Sequence, residues 1–583
     1  MLAVALSPFV VAAQEPLPRF EQGDCLIPAP KDVRLDCGRL VVAELRERPN
    51  GRTIQLPVAI FRAAQPSGAP PLVMLHGGPG LNGLRNPLFR DAAAAWALAL
   101  QRDVVVYDQR GAGLSEPRLC PDVVETSRGR PSEQVAAACV ASLKAEGIDP
   151  AAYNTPVNAA DAIDLRRTLG YRSWDVFGVS YGARLAQELM RQDPAATRAV
   201  VLASPLIVGP KFYGETRLNF QRALERVFAR CHAEPSCTAA FPSLAQDFYG
   251  VYEELTAKPL RIDAGTIQAL DGSQFFSGIR RQMAREDLIT RIPLLVRELR
   301  RGDREKAARA LVGPAELVNP TASLVIAYDA CGTALRDALD AANAQASGPF
   351  RHSNTLNCGV WQTQFADAST YAPVESAIPT LILTAEFDDR TPTEYGLRIG
   401  ARLKNSYLYE IPGAVHGTIS GTCQDRILLQ FLEAPARAPD ASCIATQSVW
   451  TFETSNLDVQ RFVFRIAASA QAINLAGTWE LTLSGPQTVT TIDLRVDGVT
   501  LTGTLTPPRG VVTPIFDGRF DRGTVTFKAT SPDGDRTVTL TGVADGDAIE
   551  FSRDLVVRPG GNPGGEGLLG VRGPRTFTAR RVN

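Results

Sequence analysis

The chain has 583 residues, with 61 Lys and Arg against 62 Asp and Glu, so its net charge is close to zero. Hydrophobic residues at 45% and charged residues at 21% exclude wholesale disorder, a collagen-like repeat and a polytopic membrane protein. The balanced charge argues against a nucleic-acid partner, because phosphate binding needs a basic surface.

Residues 1–13, MLAVALSPFVVAA, are apolar, uncharged and interrupted by Pro8. They are too short to span a bilayer and read as a signal-like leader with a small-residue cleavage site before Gln14. No later segment reaches transmembrane length, so no stable membrane span is expected, and the chain reads as periplasmic or secreted. Ten cysteines follow the leader, none in a CxxC pair. That even count behind a leader points to disulfides in an oxidising compartment. Pairing neighbours in order closes five short loops, each contributing about 2–4 kcal/mol.

Residues 38–62 alternate as strands around a turn at 49–51. Short apolar runs follow at 71–75, 103–107, 175–177, 199–203, 379–384 and 408–411, several ending in glycine-rich turns. Helical spacing at 159–169 and 183–192 fits crossovers between them. This alternation describes a parallel sheet buried on both faces, an α/β architecture. From 210 to 372 helical stretches dominate, such as 218–231 and 288–299, which reads as a helical cap inserted into the sheet domain. The sheet domain then spans 14–209 and 373–466. Near 467–474 the composition shifts to Thr, Val and Gly. Runs at 479–484, 488–496, 500–506, 524–529, 537–541, 548–552 and 576–581, with a glycine-rich stretch at 560–565, predict a small all-β barrel or sandwich over 467–583.

The chemistry concentrates at turns after the sheet strands. Gly178-Val179-Ser180-Tyr181-Gly182 follows one strand and opens a helix. A nucleophile on so tight a turn needs small neighbours, which Gly178 and Gly182 provide. A serine nucleophile needs a base, and the four histidines are His76, His232, His352 and His416. His76 belongs to a glycine turn, His232 lies beside Cys231 and His352 lies in the cap segment. Only His416 follows the last sheet strand and can reach a serine at the carboxyl edge of the sheet. The orienting acid is expected between them, in Ala385-Glu386-Phe387-Asp388-Asp389. Asp388 is the first choice, with Asp389 and Glu386 as rivals one or two positions away. The turn His76-Gly77-Gly78-Pro79-Gly80 offers backbone N–H groups to an oxyanion: Gly77, with Gly78 as the alternative, together with the N–H of Tyr181. The run 108–113, DQRGAG, lacks the Lys and the spacing of a phosphate loop and reads as a structural turn. No metal or organic cofactor is called for.

HGGPG at 76–80, DQRGAGLSEP at 108–117, GVSYG at 178–182, AEFDDRTP at 385–392 and the late His416 resemble, in this order, the proline iminopeptidase and tripeptidyl aminopeptidase family of α/β hydrolases. The resemblance covers residues 25–445. It implies an α/β-hydrolase fold with a helical cap insertion and hydrolysis of peptides from a free N-terminus. The placement of Cys331, Cys358, Cys423 and Cys443 is similar to the secreted tripeptidyl-aminopeptidase branch. Tyr181 stands where cytoplasmic iminopeptidases usually carry Trp, and 385–389 departs from their G-E-x-D-P. A cap carboxylate would be needed to bind a substrate ammonium, with Glu215, Glu225, Glu253 and Glu254 among the candidates. Beyond the resemblance, Gly477-Thr478-Trp479 with Arg580 and Arg581 is similar to a lipocalin-like barrel, in which an early Trp packs under a late Arg. The expected activity is that of a serine hydrolase acting on a peptide or a small ester or amide. An ester hydrolase with the same machinery and a binding protein centred on the barrel are the rival readings.

Overall fold

A computed structural model describes residues 16–454 and 477–582, except 31, 128–129, 210, 264–266, 313–318, 332, 352–357, 362–365, 367–369, 418–420, 447–448, 483–488, 498–499, 507–510, 522–523, 546–547 and 558–575. The leader at 1–13, His352, the composition boundary at 467–474 and the glycine-rich stretch at 560–565 lie outside the described residues. The chain divides into two units, 1–463 and 464–583.

The strands of the first unit are, in chain order, β1 (Arg19–Gln22), β2 (Leu35–Ala43), β3 (Thr53–Phe61), β4 (Leu72–Leu75), β5 (Val104–Tyr107), β6 (Trp174–Val179), β7 (Thr197–Ala203), β8 (Leu260–Asp263), β9 (Ile267–Leu270), β10 (Thr380–Ala385) and β11 (Ser406–Ile411). All but β8 and β9 form one sheet of nine strands, ordered β1-β2-β3-β5-β4-β6-β7-β10-β11. Pairing is antiparallel as far as β5 and parallel from β5 to β11. β4, β5, β6 and β10 are buried along their whole length, because helices cover both faces. Alternate residues therefore serve two cores. Val73, Leu75, Val105, Val176 and Ile382 face one, and Leu72, Met74, Val104, Phe177 and Leu381 the other. The predicted crossovers are present as Thr155–Thr168 and Tyr181–Gln192.

Register brings the functional turns to one edge. Leu75 pairs with Gly178, Val179 with Ala203, and Ala385 with Ile411, so β4, β6, β7, β10 and β11 end side by side. The strand order reverses around β4, with β5 on one flank and β6 on the other. A crevice at the carboxyl ends beside such a reversal is where open α/β sheets bind ligands.

The segment between β7 and β10 is largely helical, from Lys211–Gly214 to Cys358–Trp361. It differs from expectation in two places. It contains the β8–β9 hairpin, too short to leave a clear alternation in the sequence. The 288–299 stretch is two helices, Glu286–Ile289 and Ile292–Arg301, with Pro293 in the first turn of the second, where its missing N–H is harmless. Phe220, Phe248, Phe275 and Phe350 anchor the segment's own core, which also takes in Phe387 and Val415 from turns at the sheet edge. All five disulfides join sequence neighbours: Cys25–Cys37, Cys120–Cys139, Cys231–Cys237, Cys331–Cys358 and Cys423–Cys443. Among the described residues no helix is long and apolar enough to cross a membrane.

The second unit is a closed antiparallel barrel: β12 (Gly477–Thr482), β13 (Val489–Asp497), β14 (Thr500–Thr506), β15 (Thr513–Asp521), β16 (Thr524–Thr530), β17 (Arg536–Asp545), β18 (Ala548–Val557) and β19 (Thr576–Arg581). Pairing of β12 with β19 closes it. β15 is the strand that the sequence concealed. It carries Pro514, Gly518 and Asp517 at φ 51°, all unfavourable in a strand, and its register shifts against both neighbours. The interior is filled by apolar side chains, among them Leu481, Ile492, Leu505, Phe527, Leu540 and Phe551. Trp479 is fully buried under the guanidinium of Arg581, 4.5 Å from the ring centroid.

Candidate active site

Ser180 stands between β6 and the helix Tyr181–Gln192 at φ 56°, ψ −119°. A non-glycine residue there is strained, and the strain persists only where packing over-determines it. The packing is close. A Cβ on Gly178 would lie 2.3 Å from the carbonyl oxygen of Gly182, and one on Gly182 would lie 2.0 Å from that of Leu75. Both positions therefore require glycine. On the neighbouring turn, a Cβ on Gly77 would come within 2.9 Å of Ser180 Cβ and 3.4 Å of its Oγ. The main chain of Gly77 thus lies directly against the hydroxyl. Among the described residues the N–H groups of Gly77, Gly78 and Tyr181 have no backbone acceptor. Asn319, which caps the helix Pro320–Ala330, holds this turn by donating to the carbonyl of Gly80 at 2.9 Å.

His416 follows β11. Its Nε2 is 3.0 Å from Ser180 Oγ, and its Nδ1 is 2.9 Å from both carboxylate oxygens of Asp388. Asp388 is 1% exposed. Burial alone would raise its pKa, but the facing His416 and the N–H groups of Thr391 and Arg390 outweigh it and hold the carboxyl below its usual range. The two rival acids point elsewhere. Asp389 accepts from Arg280 Nε at 2.7 Å, and Glu386 accepts from Arg230 at 3.2 Å and from the N–H of Gly413 at 2.7 Å. Sequence reasoning missed Thr391. Its hydroxyl donates to Asp388 Oδ2 at 2.9 Å or to Ser204 O at 2.8 Å and lies 3.1 Å from His416 Nδ1, bracing the acid and the imidazole together. Its place three residues after Asp388, in an Asx-type turn, was the available signal.

The other two described histidines stand apart from this chain of bonds. His76 accepts from Asn86 at 3.0 Å and packs edge-on against Phe89, and burial lowers its pKa. His232 is exposed in the last turn of Thr216–Ala233. The 108–113 run is a structural turn: Asp108 accepts from the N–H groups of Gly83, Leu84 and Leu114, and buried Arg110 forks onto Asp161 at 2.6 and 2.7 Å. Of the four glutamates considered from the sequence, Glu215 pairs with Arg398, Glu225 accepts from Gln221, Glu254 pairs with Arg304, and Glu253 is exposed. Among the described residues no cluster of three or more His, Cys, Asp or Glu is arranged to hold a metal ion.

Residues 70–251 match the family model described as alpha/beta hydrolase fold, which takes in the glycine turn and Ser180. The larger unit has the α/β-hydrolase fold. Residues 344–443, which include Asp388 and His416, match a second model, TAP-like protein. The chain is 29% identical over 214 residues to tripeptidyl aminopeptidases of Streptomyces lividans and Streptomyces coelicolor. Each match covers 33% of this chain and 39% of the relative, less than half of the relative's length. A proline iminopeptidase structure from Mycobacterium smegmatis aligns with 68% of this chain and 98% of its own at 16% identity, with a TM-score of 0.35, too low to add to the assignment.

Proposed function

We propose that this chain is an exported serine hydrolase that cleaves peptides from a free N-terminus. The observation that carries the chemistry is the continuous hydrogen-bonded chain from Ser180 Oγ through His416 to Asp388. In this reading Ser180 Oγ attacks the carbonyl as His416 Nε2 takes its proton, then passes it to the leaving amine. Asp388 holds the Nδ1–H tautomer and stabilises the imidazolium, and Thr391 keeps both in register. The N–H groups of Gly77 and Tyr181 receive the oxyanion, each contributing about 3 kcal/mol at the transition state. Water, activated by the same imidazole, releases the acyl-enzyme.

The peptide substrate class rests on the tripeptidyl aminopeptidases named above and on the sequence resemblance. The helical segment 210–372 acts as the cap that limits substrate size. Export rests on the apolar leader sequence and on the pairing of all ten cysteines. The test is kcat/KM on one tripeptide anilide with its N-terminus free and then acetylated, with Ser180→Ala as the blank. Cleavage of the free form alone supports the reading. Equal cleavage of both, or turnover of a simple aryl ester alone, replaces it with an ester or general amide hydrolase. The apolar wall of Leu206, Ile207, Phe212 and Val325 beside Tyr181 is the observation that favours that second reading.

A further inference from the structure

Gly413 lies three residues before His416, in the turn that leaves β11. Side chains from elsewhere hold both polar groups of its main chain. Its N–H donates to Glu386 Oε2 at 2.7 Å, and its carbonyl accepts from the indole N–H of Trp450 at 2.7 Å. The fit is close: Gly413 has φ 74°, and a Cβ on it would lie 2.7 Å from Val449 Cγ1 and 3.3 Å from Trp450 Nε1. Glu386 stands two residues before Asp388, so one carboxylate ties the turn of the acid to the turn of the base. Two main-chain bonds join the same turns, from Glu386 N–H to Ile411 O at 3.2 Å and from Phe387 N–H to Ala414 O at 2.9 Å.

The cap closes this cluster. Arg230, on the helix Thr216–Ala233, puts one guanidinium nitrogen 3.2 Å from each carboxylate oxygen of Glu386. Its guanidinium carbon lies 5.7 Å from the centroid of the Trp450 ring. Arg226, one turn earlier on the same face, donates to the carbonyl of Glu386 at 3.1 Å and to Glu410 at 2.8 Å. Trp450 belongs to a strap, residues 449–454, that runs from the base turn onto the cap. There Phe452 N–H donates to Glu234 at 3.3 Å, Glu453 N–H to Thr290 O at 3.0 Å, and Arg297 to Thr454 O at 3.2 Å. Glycine has the widest choice of backbone conformations, so an unheld glycine this close to the base would let the imidazole swing. A misplacement of about 1 Å at a reacting group can cost about a hundredfold in rate.

We propose that Glu386 and Trp450 are positioning residues that set the imidazole of His416 against Ser180, and that Arg230 makes their hold depend on the seating of the cap. The inference rests on the reading of Ser180 and His416 as nucleophile and base. It holds for peptide and ester substrates alike.

A fluorophosphonate probe tests this without knowledge of the substrate. Ser180 Oγ bonds to phosphorus, fluoride leaves, and His416 takes the hydroxyl proton. Labelling of the full chain gives two readings, the fraction of molecules labelled at completion and the rate constant per labelled site. Hydrolysis of p-nitrophenyl acetate gives kcat and KM, with Ser180→Ala as the blank. Glu386→Ala should lower both the rate constant and kcat about tenfold, with KM changed less than about twofold. Glu386→Gln keeps an acceptor for the Gly413 N–H and should recover most of the loss. Trp450→Phe keeps the ring without the donor and should cost about threefold, and Arg230→Gln about as much. A merely structural role would lower the labelled fraction and the melting temperature and leave the rate constant per labelled site unchanged. That result in Glu386→Ala and Trp450→Phe overturns the proposal, and an unchanged constant in Arg230→Gln overturns the part given to the cap. Should Glu386→Ala not fold, Trp450→Phe decides. A wild type that the probe does not label removes the serine-hydrolase reading and this inference with it. A labelled wild type with unaffected variants removes this inference alone.

Discussion

The open sheet and the closed barrel solve the same problem, how to bury a β-structure, with opposite consequences. The sheet is covered on both faces, so its central strands are buried along their whole length and mostly apolar, and the reacting groups sit on the turns at the carboxyl edge. Ser180, Gly77, Asp388 and His416 all come from such turns. The barrel has no free edge. It turns one side of every strand inward and fills the centre with Trp479, Phe527, Phe551 and their neighbours. An edge with strained turns can hold a reaction. A filled centre holds the barrel together.

Substitutions that separate edge chemistry from interior packing sharpen this contrast. The largest effect is expected for Asp388→Asn. It should cut kcat by roughly 10⁴-fold while the fold persists, because the imidazole loses its tautomer and its counter-charge. The same residue sets a pH dependence. Its folded pKa lies below its unfolded value, so its contribution to stability is complete above the unfolded value of about 3.9 and is lost as the pH falls through the folded one. Acid denaturation monitored by circular dichroism should therefore be less steep below about pH 4 in Asp388→Asn than in wild type. In the barrel, Phe527→Ala should cost about 3–5 kcal/mol, read as faster amide exchange in strands β16 and β17. A smaller loss, about tenfold in kcat, is expected for Thr391→Val, which removes a hydroxyl from a charged acceptor. A shifted acid limb in its pH–rate profile would mark Thr391 as a positioning residue. An unchanged limb with lower thermal stability would mark it as a structural one. The smallest effect belongs to Arg581→Ala, about 0.5–1 kcal/mol of barrel stability from the contact over Trp479.

What could be read in advance follows the range of the forces involved. The nucleophile turn was legible because its cause is local: a backbone at positive φ between two glycines that admit no Cβ. The parallel strands were legible as short, largely apolar runs ending in glycine-rich or polar turns. The acid could be narrowed to three neighbours with Asp388 preferred, and the structure separates them through Arg280 and Arg230, brought in from far along the chain. β15 was hidden because a barrel tolerates a bulge between Pro514 and Arg519, with a proline and a glycine that local propensity disfavours in a strand.

The core shared by the helical segment and the sheet-edge turns has a consequence for how this molecule fails. Phe387 and Val415, each next to a residue of the proposed triad, pack among the aromatic side chains of that segment. Acid, base and roof therefore belong to one cooperative block. On gentle heating they should melt in a single step ahead of the sheet, so that inactivation precedes global unfolding. A roof transplanted from another protein would have to bring its own partners for both side chains, which makes this roof a poor interchangeable part.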